Sequence, residues 1–318
     1  MKSPPSVDGI IAARASIDST FLNSPLVEQA SANIALGHRL FAKVETLNPI
    51  RSFKGRGAHW YLASLAPSAR PIVTASAGNF GQGIAYAAAS GQRSVIVFAS
   101  VHANPRKLDA MRQLGARVIL EGADFDGAKQ AARAFAGHHD CVFVEDGDEP
   151  TIAEGAGTIA AELMDALAER AVALDAIIVP LGNGALLTGV ATWIKAKAPA
   201  CKVIGVVATG APAMKLSWEQ GRHIDTPTAV TAADGIAVRV PVDYALACME
   251  GLVDQVVEVD EAAILAAMAF CRRHYGLVVE AAGAAGIAAL LGTLNFDTPK
   301  VLATILCGGN SAEIDPGG

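Results

Sequence analysis

The chain has 318 residues, 52% of them hydrophobic and 18% charged, with a net charge of −6. This composition excludes a disordered polymer, and an acidic balance with no basic run argues against a nucleic-acid surface. Five cysteines with no C-x-x-C pair argue against a disulfide framework or a structural zinc site and fit a reducing cytoplasm.

In chain order, the opening MKSPPSVDGI puts prolines where a secretory leader needs an unbroken apolar run. NPIRSFKGRGA follows at 48–58. It crowds two arginines, a lysine, two glycines and a phenylalanine together, and reads as Lys54 on a short helical start. From there, short β-branched runs recur: 71–75, 94–99, 116–120, 141–145, 175–180, 202–208, 253–259 and 301–307. Most are continuously apolar, as expected when both faces of a sheet are covered. Ala-rich helical patterns at 80–90, 104–114, 126–137, 153–172, 185–197 and 260–273 separate them. Strand alternating with helix predicts an α/β protein of parallel βαβ units. His138 and His139 fall at a helix end and read as solvated. The apolar stretch Gly276 to Gly292 is broken by Glu280, so it reads as a buried helix and not as a membrane span.

The four strands between 71 and 145 are closely and evenly spaced, which predicts a compact subdomain. The loop EDGDEP (145–150) marks its end. Sites in such sheets lie at the carboxyl ends of strands. Three glycine-bearing loops sit there: TASAGNFGQG (74–83), PLGNGALLTG (180–189) and LCGGNSA (306–312).

The turn at 182–184 can cradle a phosphate on main-chain N–H groups at a helix start, or can be a plain strand-to-helix turn. Its glycine spacing is not that of a dinucleotide fingerprint, and no acidic residue follows the next strand for a ribose. Lys54, beside Phe53 and Gly55, can be a desolvated Schiff-base amine or a surface lysine. A phosphate cradle combined with such a lysine suggests pyridoxal phosphate.

RSFKGRGA, TASAGNFGQG, TAADGIAVRVP (231–241), VVEAAGAAG (278–286) and ILCGGN (305–310) together resemble the ordered motif set of the threonine/serine dehydratase family. That family belongs to the tryptophan-synthase-β-like, fold type II pyridoxal phosphate enzymes. The similarity runs from about Ser6, with NSPL (23–26) as the early marker, to about Ala312. It implies two parallel-sheet-based three-layer domains, a larger one from 1–70 and 151–318 and a smaller one from 71–150, with the cofactor between them.

By the same resemblance, Lys54 is the Schiff-base lysine and the base that removes the substrate's Cα proton. Phe53 packs beside the cofactor ring, and the neighbouring glycines let backbone crowd it. Asn79 should bond the ring hydroxyl. The loop Ser76, Ala77, Gly78, Asn79 should hold the substrate carboxylate on N–H groups, with the Ser76 side chain pointing elsewhere. Gly182, Asn183, Gly184, Ala185 and Leu186 should wrap the phosphate, although Asn183 and Ala185 stand where the family usually has glycine. Cys307 should face the ring nitrogen, the alternative being an inert buried thiol. Glu280 is either a carboxylate near the ring or a helix N-terminal acid. Phe80 replaces the histidine common in this loop. Val207 stands where some relatives carry a cation-binding glutamate, so no metal is expected.

The activity implied is β-elimination from a β-hydroxy amino acid, serine- or threonine-like, 3-hydroxyaspartate or an aryl-serine, giving a 2-oxo acid and ammonia. A racemase is disfavoured because Ala77 replaces the acid/base serine of serine racemases. A β-replacement synthase usually carries a different asparagine loop. A nucleotide-binding oxidoreductase and a non-catalytic binding protein are the rivals from other classes. A cytoplasmic homodimer is expected. The chain ends soon after the cysteine loop, so feedback control by an end-product amino acid is not expected.

Overall fold

The computed structural model describes residues 2–76, 78–91 and 93–311, so Ala77 lies outside the described residues. Two sheets organise them. The larger has six strands in the order β1 (Leu26–Glu28), β2 (Arg39–Val44), β10 (Val301–Leu306), β7 (Ala176–Pro180), β8 (Lys202–Ala208) and β9 (Gln255–Val259). All neighbours pair in parallel except β1, which runs antiparallel to β2 at the edge. The smaller sheet is wholly parallel, in the order β5 (Arg117–Leu120), β4 (Val95–Ala99), β3 (Ile72–Ala75) and β6 (Val142–Phe143).

The apolar runs become inner strands because both faces are covered by helices. Every residue of β3, β4 and β7 is buried. One large apolar cluster gathers β7 and the helices Pro150–Glu169 and Ala185–Lys197 on one face of the six-stranded sheet. A second gathers Glu261–Tyr275 and Ala281–Ala288 on the other. Within the Gly276–Gly292 stretch, residues 279–290 are buried and the part from Ala281 onward is helical, while Val278 and Leu291 at its two ends are exposed. Among the described residues, no helix is long and apolar enough to cross a membrane.

Two strands escaped the sequence reading. β1 is short. β2 carries Arg39 and Lys43, yet Lys43 is buried because its Nζ donates to Glu162 Oε2 at 2.7 Å and to the Ser24 carbonyl at 2.6 Å. The helix Lys54–Ser64 joins the two sheets: its Ala58 and Tyr61 pack in the core of the smaller one.

β10 enters the six-stranded sheet between β2 and β7. The loops after β10 and β7 open at the same edge, the position where ligands bind in open α/β sheets. The loop after β3 comes to meet them from the second sheet.

Candidate active site

The residues before Lys54 are strapped to the end of β10. Phe53 N donates to the Cys307 carbonyl at 3.0 Å and Gly309 N donates to the Arg51 carbonyl at 2.9 Å, while Ser52 and Gly308 form an isolated antiparallel bridge. Lys54 is then the first residue of its helix. Its side chain is 13% exposed, and its amine lies over the Phe53 ring at 4.6 Å and toward the Phe80 ring at 6.0 Å. Both rings present a negative face that favours a cation. The amine also donates to Asp146 Oδ2.

The glycines flanking Lys54 have a different use from the one expected. A Cβ at Gly55 would stand 2.0 Å from the Phe21 ring, and one at Gly57 2.7 Å from the Ile152 carbonyl oxygen. They admit close packing on the side of the helix turned to Phe21 and the helix Pro150–Glu169. The residues lining the cleft include Phe53 and Lys54 but neither glycine.

The second arginine of the motif also turns inward. Arg56 is completely buried and donates to Glu45 at 2.8 and 2.9 Å, to Glu162 at 2.7 and 3.0 Å, to Thr158 at 3.0 Å and to Ser24 at 3.2 Å. Burial of Glu162 alone would raise its pKa. The Arg56 hydrogen bond and charge, with Lys43 behind them, outweigh that and hold it at about 2. Lys43 and Arg56 thus balance Glu45 and Glu162 beneath the Lys54 helix.

The cleft above Lys54 has a volume of about 510 Å³, within the range of small-molecule sites. Ser76, Gly78, Asn79, Gly182, Asn183, Gly184, Leu186, Glu280 and Cys307 line it together with Phe53 and Lys54. The sequence motifs therefore do converge. Ala185 is the exception: its side chain packs in the core of the smaller sheet, and its N–H donates to Asn183 Oδ1 at 3.3 Å.

The carboxylate loop needs a correction. Ser76 N continues the strand ladder, donating to the Phe98 carbonyl at 3.0 Å. Ser76 Oγ turns back to accept from Gly78 N at 3.1 Å and Gly81 N at 2.9 Å. The main-chain donors of Ser76 and Gly78 are occupied, so among the described residues of this loop the substrate carboxylate is left Asn79, at the start of its helix. The Lys107 side chain runs beside this loop: a Cβ at Gly78 would stand 3.0 Å from Lys107 Cδ and 3.6 Å from Nζ. Lys107 brings a cation that no sequence motif indicated.

Asn79 is fixed from two sides. Its Nδ2 donates to Glu280 Oε1 at 2.7 Å, and its Oδ1 accepts from Asn310 Nδ2 at 2.9 Å. Glu280 stands at the start of the helix Ala281–Ala288 but makes no side-chain cap there; it serves Asn79. Burial raises the pKa of Glu280, with a nearby Asp234 acting the same way and Lys107 opposing it, which favours the neutral acid. Burial likewise raises the Cys307 pKa, so it remains a thiol.

Two ion pairs span the mouth of the cleft. Lys107 pairs with Asp234, and Arg239 Nη2 pairs with Asp126 Oδ2 at 2.8 Å. In each, one partner belongs to a helix of the smaller sheet and the other to the segment 231–241.

Pyridoxal phosphate fits these residues. An amine lies in the cleft, and a neutral thiol stands on its wall. The turn at 182–184 has an open main chain, with Gly184 at φ +100° and a Cβ there 2.5 Å from the Ala245 Cβ. The first N–H groups of the helix Ala185–Lys197 have no acceptor within the helix. Buried Glu280 Oε2 lacks a partner, as a polar atom facing a ligand site would.

Comparison with known proteins agrees. The family model described as pyridoxal-phosphate dependent enzyme matches residues 17–308. The chain is 38% identical to the L-threonine ammonia-lyase of Thermotoga maritima over 276 residues, 86% of this chain and 68% of that relative. The crystal structure of the T.th. threonine deaminase is similar with a TM-score of 0.92 and 31% identity, covering 98% of this chain and all of that one. Maize serine racemase is similar with a TM-score of 0.90 and 27% identity, over 99% and 95% of the two chains. The chain belongs to the pyridoxal-phosphate-dependent enzymes, in the threonine/serine dehydratase family, and is a lyase that uses that cofactor.

Proposed function

We propose that the protein is a dehydratase (ammonia-lyase) that converts a β-hydroxy amino acid of the serine or threonine kind into a 2-oxo acid and ammonia by β-elimination. The observation that carries this reading is the shared cleft, which gathers the Lys54 amine, the glycine turn 182–184, the Asn79 loop and the Cys307 thiol.

In this reading Lys54 holds the cofactor, whose bound aldehyde supplies the electron sink that makes a Cα proton removable. Gly182, Asn183, Gly184 and Leu186 hold the phosphate through main-chain N–H groups, and Ala185 adds its own by exchanging its bond to Asn183 Oδ1 for the phosphate. Asn79, set by Glu280 and Asn310, bonds the ring hydroxyl. Phe53 and Glu280 would stand beside the ring, and Cys307 would face its nitrogen. Asn79 N–H and Lys107 orient the substrate carboxylate, with Ser76 and Gly78 of the same loop shaping the pocket. The Lys54 amine, once released, takes the Cα proton. A neutral thiol at 307 favours a reaction in which a leaving group carries the electron pair away. Two domains, 1–70 with 151–318 and 71–150, enclose the cofactor, and the active form is a cytoplasmic homodimer.

A racemase reading finds support in the likeness to maize serine racemase. It lacks a proton donor for the second face of the substrate, because residue 77 is alanine. The test is to incubate the holoenzyme with L-serine, L-threonine, 3-hydroxyaspartate and aryl-serines, and to assay both 2-oxo acid and enantiomer. Release of 2-oxo acid with equimolar ammonia from at least one of them is expected. The enantiomer as the main product, or a β-substituted amino acid formed only with added thiol, would overturn the proposal.

A further inference from the structure

Asp146 belongs to none of the motifs, yet it is the carboxylate bonded to the Lys54 amine among the described residues. It follows β6 in the loop before the helix Pro150–Glu169, and its side chain is only 11% exposed. Oδ2 accepts from Lys54, while Oδ1 is buried and has no partner. A buried carboxylate oxygen without a donor points to a missing group.

The loop that carries it is clamped on both sides. Glu145 accepts from Lys129 at 3.0 Å and from Arg133 at 2.5 Å. Gly147, at φ +90°, lies so close to the phosphate turn that a Cβ there would stand 2.7 Å from the Asn183 carbonyl oxygen. The carboxylate is therefore held against the amine, while the next residue, Gly147, packs against the turn. The other acids lining the cleft have different partners: Asp124 has Gly127 N and Arg239, Asp126 has Arg239, Asp234 has Lys107 and Glu280 has Asn79.

Loss of a β-hydroxyl needs an acid, because hydroxide is a poor leaving group. We infer that Asp146 relays to the departing β-oxygen the proton that Lys54 takes from Cα. The inference rests on the dehydratase reading above. The uncharged amine accepts the Cα proton, and the Cα–H electron pair ends in the new Cα=Cβ bond. A proton passes along the Nζ–H···Oδ2 hydrogen bond to the carboxylate. The carboxyl group, turned about its Cβ–Cγ bond, gives that proton to the β-oxygen as the Cβ–O bond breaks and its electron pair leaves with the oxygen. Water departs, and Lys54 and Asp146 end as they began.

The experiment compares two leaving groups. Wild-type and D146N holoenzymes are assayed with the β-hydroxy amino acid that the wild type turns over best, and with β-chloro-L-alanine, whose chloride leaves without a proton. Loss of a general acid should lower kcat on the hydroxy substrate by about 100-fold or more, and turnover of the chloride by no more than about threefold. Absorbance titration of cofactor-free protein should show cofactor affinity changed by no more than about threefold, well below the tenfold that 1.4 kcal/mol would give. In D146A, added formate should restore the hydroxy reaction and leave the chloride reaction unchanged.

Equal losses on both substrates, or no loss on either, would overturn the relay and leave the dehydratase reading standing. If neither variant binds the cofactor, Asp146 is a holding residue and the relay is wrong. A wild type that releases no 2-oxo acid from any β-hydroxy amino acid would end both.

Discussion

Arg56 grips Glu162 with two nitrogens, Nη1 to Oε1 at 2.7 Å and Nη2 to Oε2 at 3.0 Å, two residues along the helix from Lys54. The pair ties the start of the lysine helix to the long helix Pro150–Glu169. Arg56→Met would leave Glu45 and Glu162 buried with only Lys43 to balance them. Removing one partner of a buried ion pair costs about 3–5 kcal/mol. Urea unfolding should show a loss of that order, and a loss below about 1 kcal/mol would mean that the network behaves like a surface pair.

The same cluster sets an acid limit. The carboxyl of Glu162 is held at about 2 in the fold, against an ordinary value near 4.3. A depressed folded value means that the stabilisation is complete above the unfolded value and is lost as pH falls through the folded one. Unfolding free energy should therefore decline between about pH 4.3 and pH 2. In Glu162→Gln that part of the slope should be absent when chemical denaturation is followed against pH.

Much of this was legible in the chain. The eight apolar runs named strands, and the loops after β3, β7 and β10 named the cleft, because periodicity and glycine turns are local signals. The misses are tertiary. β2 hid behind Arg39 and Lys43: Arg39 is exposed at the strand's start, and the buried charge of Lys43 is tolerable in the sheet because Glu162 meets it. Asp146 sat in a stretch readable only as loop, and its partner is 92 residues away. Gly55 and Gly57 looked like ligand glycines, and only the positions of Phe21 and Ile152 show otherwise. A run of sequence shows that close packing is needed but not against what.

Gly184 tests the phosphate turn. An alanine there must adopt φ near +100° and place its Cβ 2.5 Å from that of Ala245, a strain of about 1–3 kcal/mol. The turn should shift to relieve it. Gly184→Ala should bind pyridoxal phosphate roughly tenfold more weakly or worse, which corresponds to about 1.4 kcal/mol. Absorbance titration of the cofactor-free protein measures this, and unchanged affinity would place the phosphate elsewhere.

Lys107 tests the carboxylate site. It runs beside Gly78 and pairs with Asp234. Lys107→Met should raise KM about tenfold and leave kcat within about twofold, the pattern of an interaction made equally in the ground and transition states. Steady-state kinetics decide it. A fall in kcat with KM unchanged would assign Lys107 to the chemistry instead.

The central claim is that the amine of Lys54 carries the cofactor and then the proton. The most direct measurement is borohydride reduction of the holoenzyme followed by peptide mass analysis, with Lys54→Ala assayed beside it. The account predicts a stable cofactor adduct on Lys54 alone, and loss of 2-oxo acid release by at least about 100-fold in the variant. An adduct on any other lysine, or a variant that turns over at the wild-type rate, would contradict it.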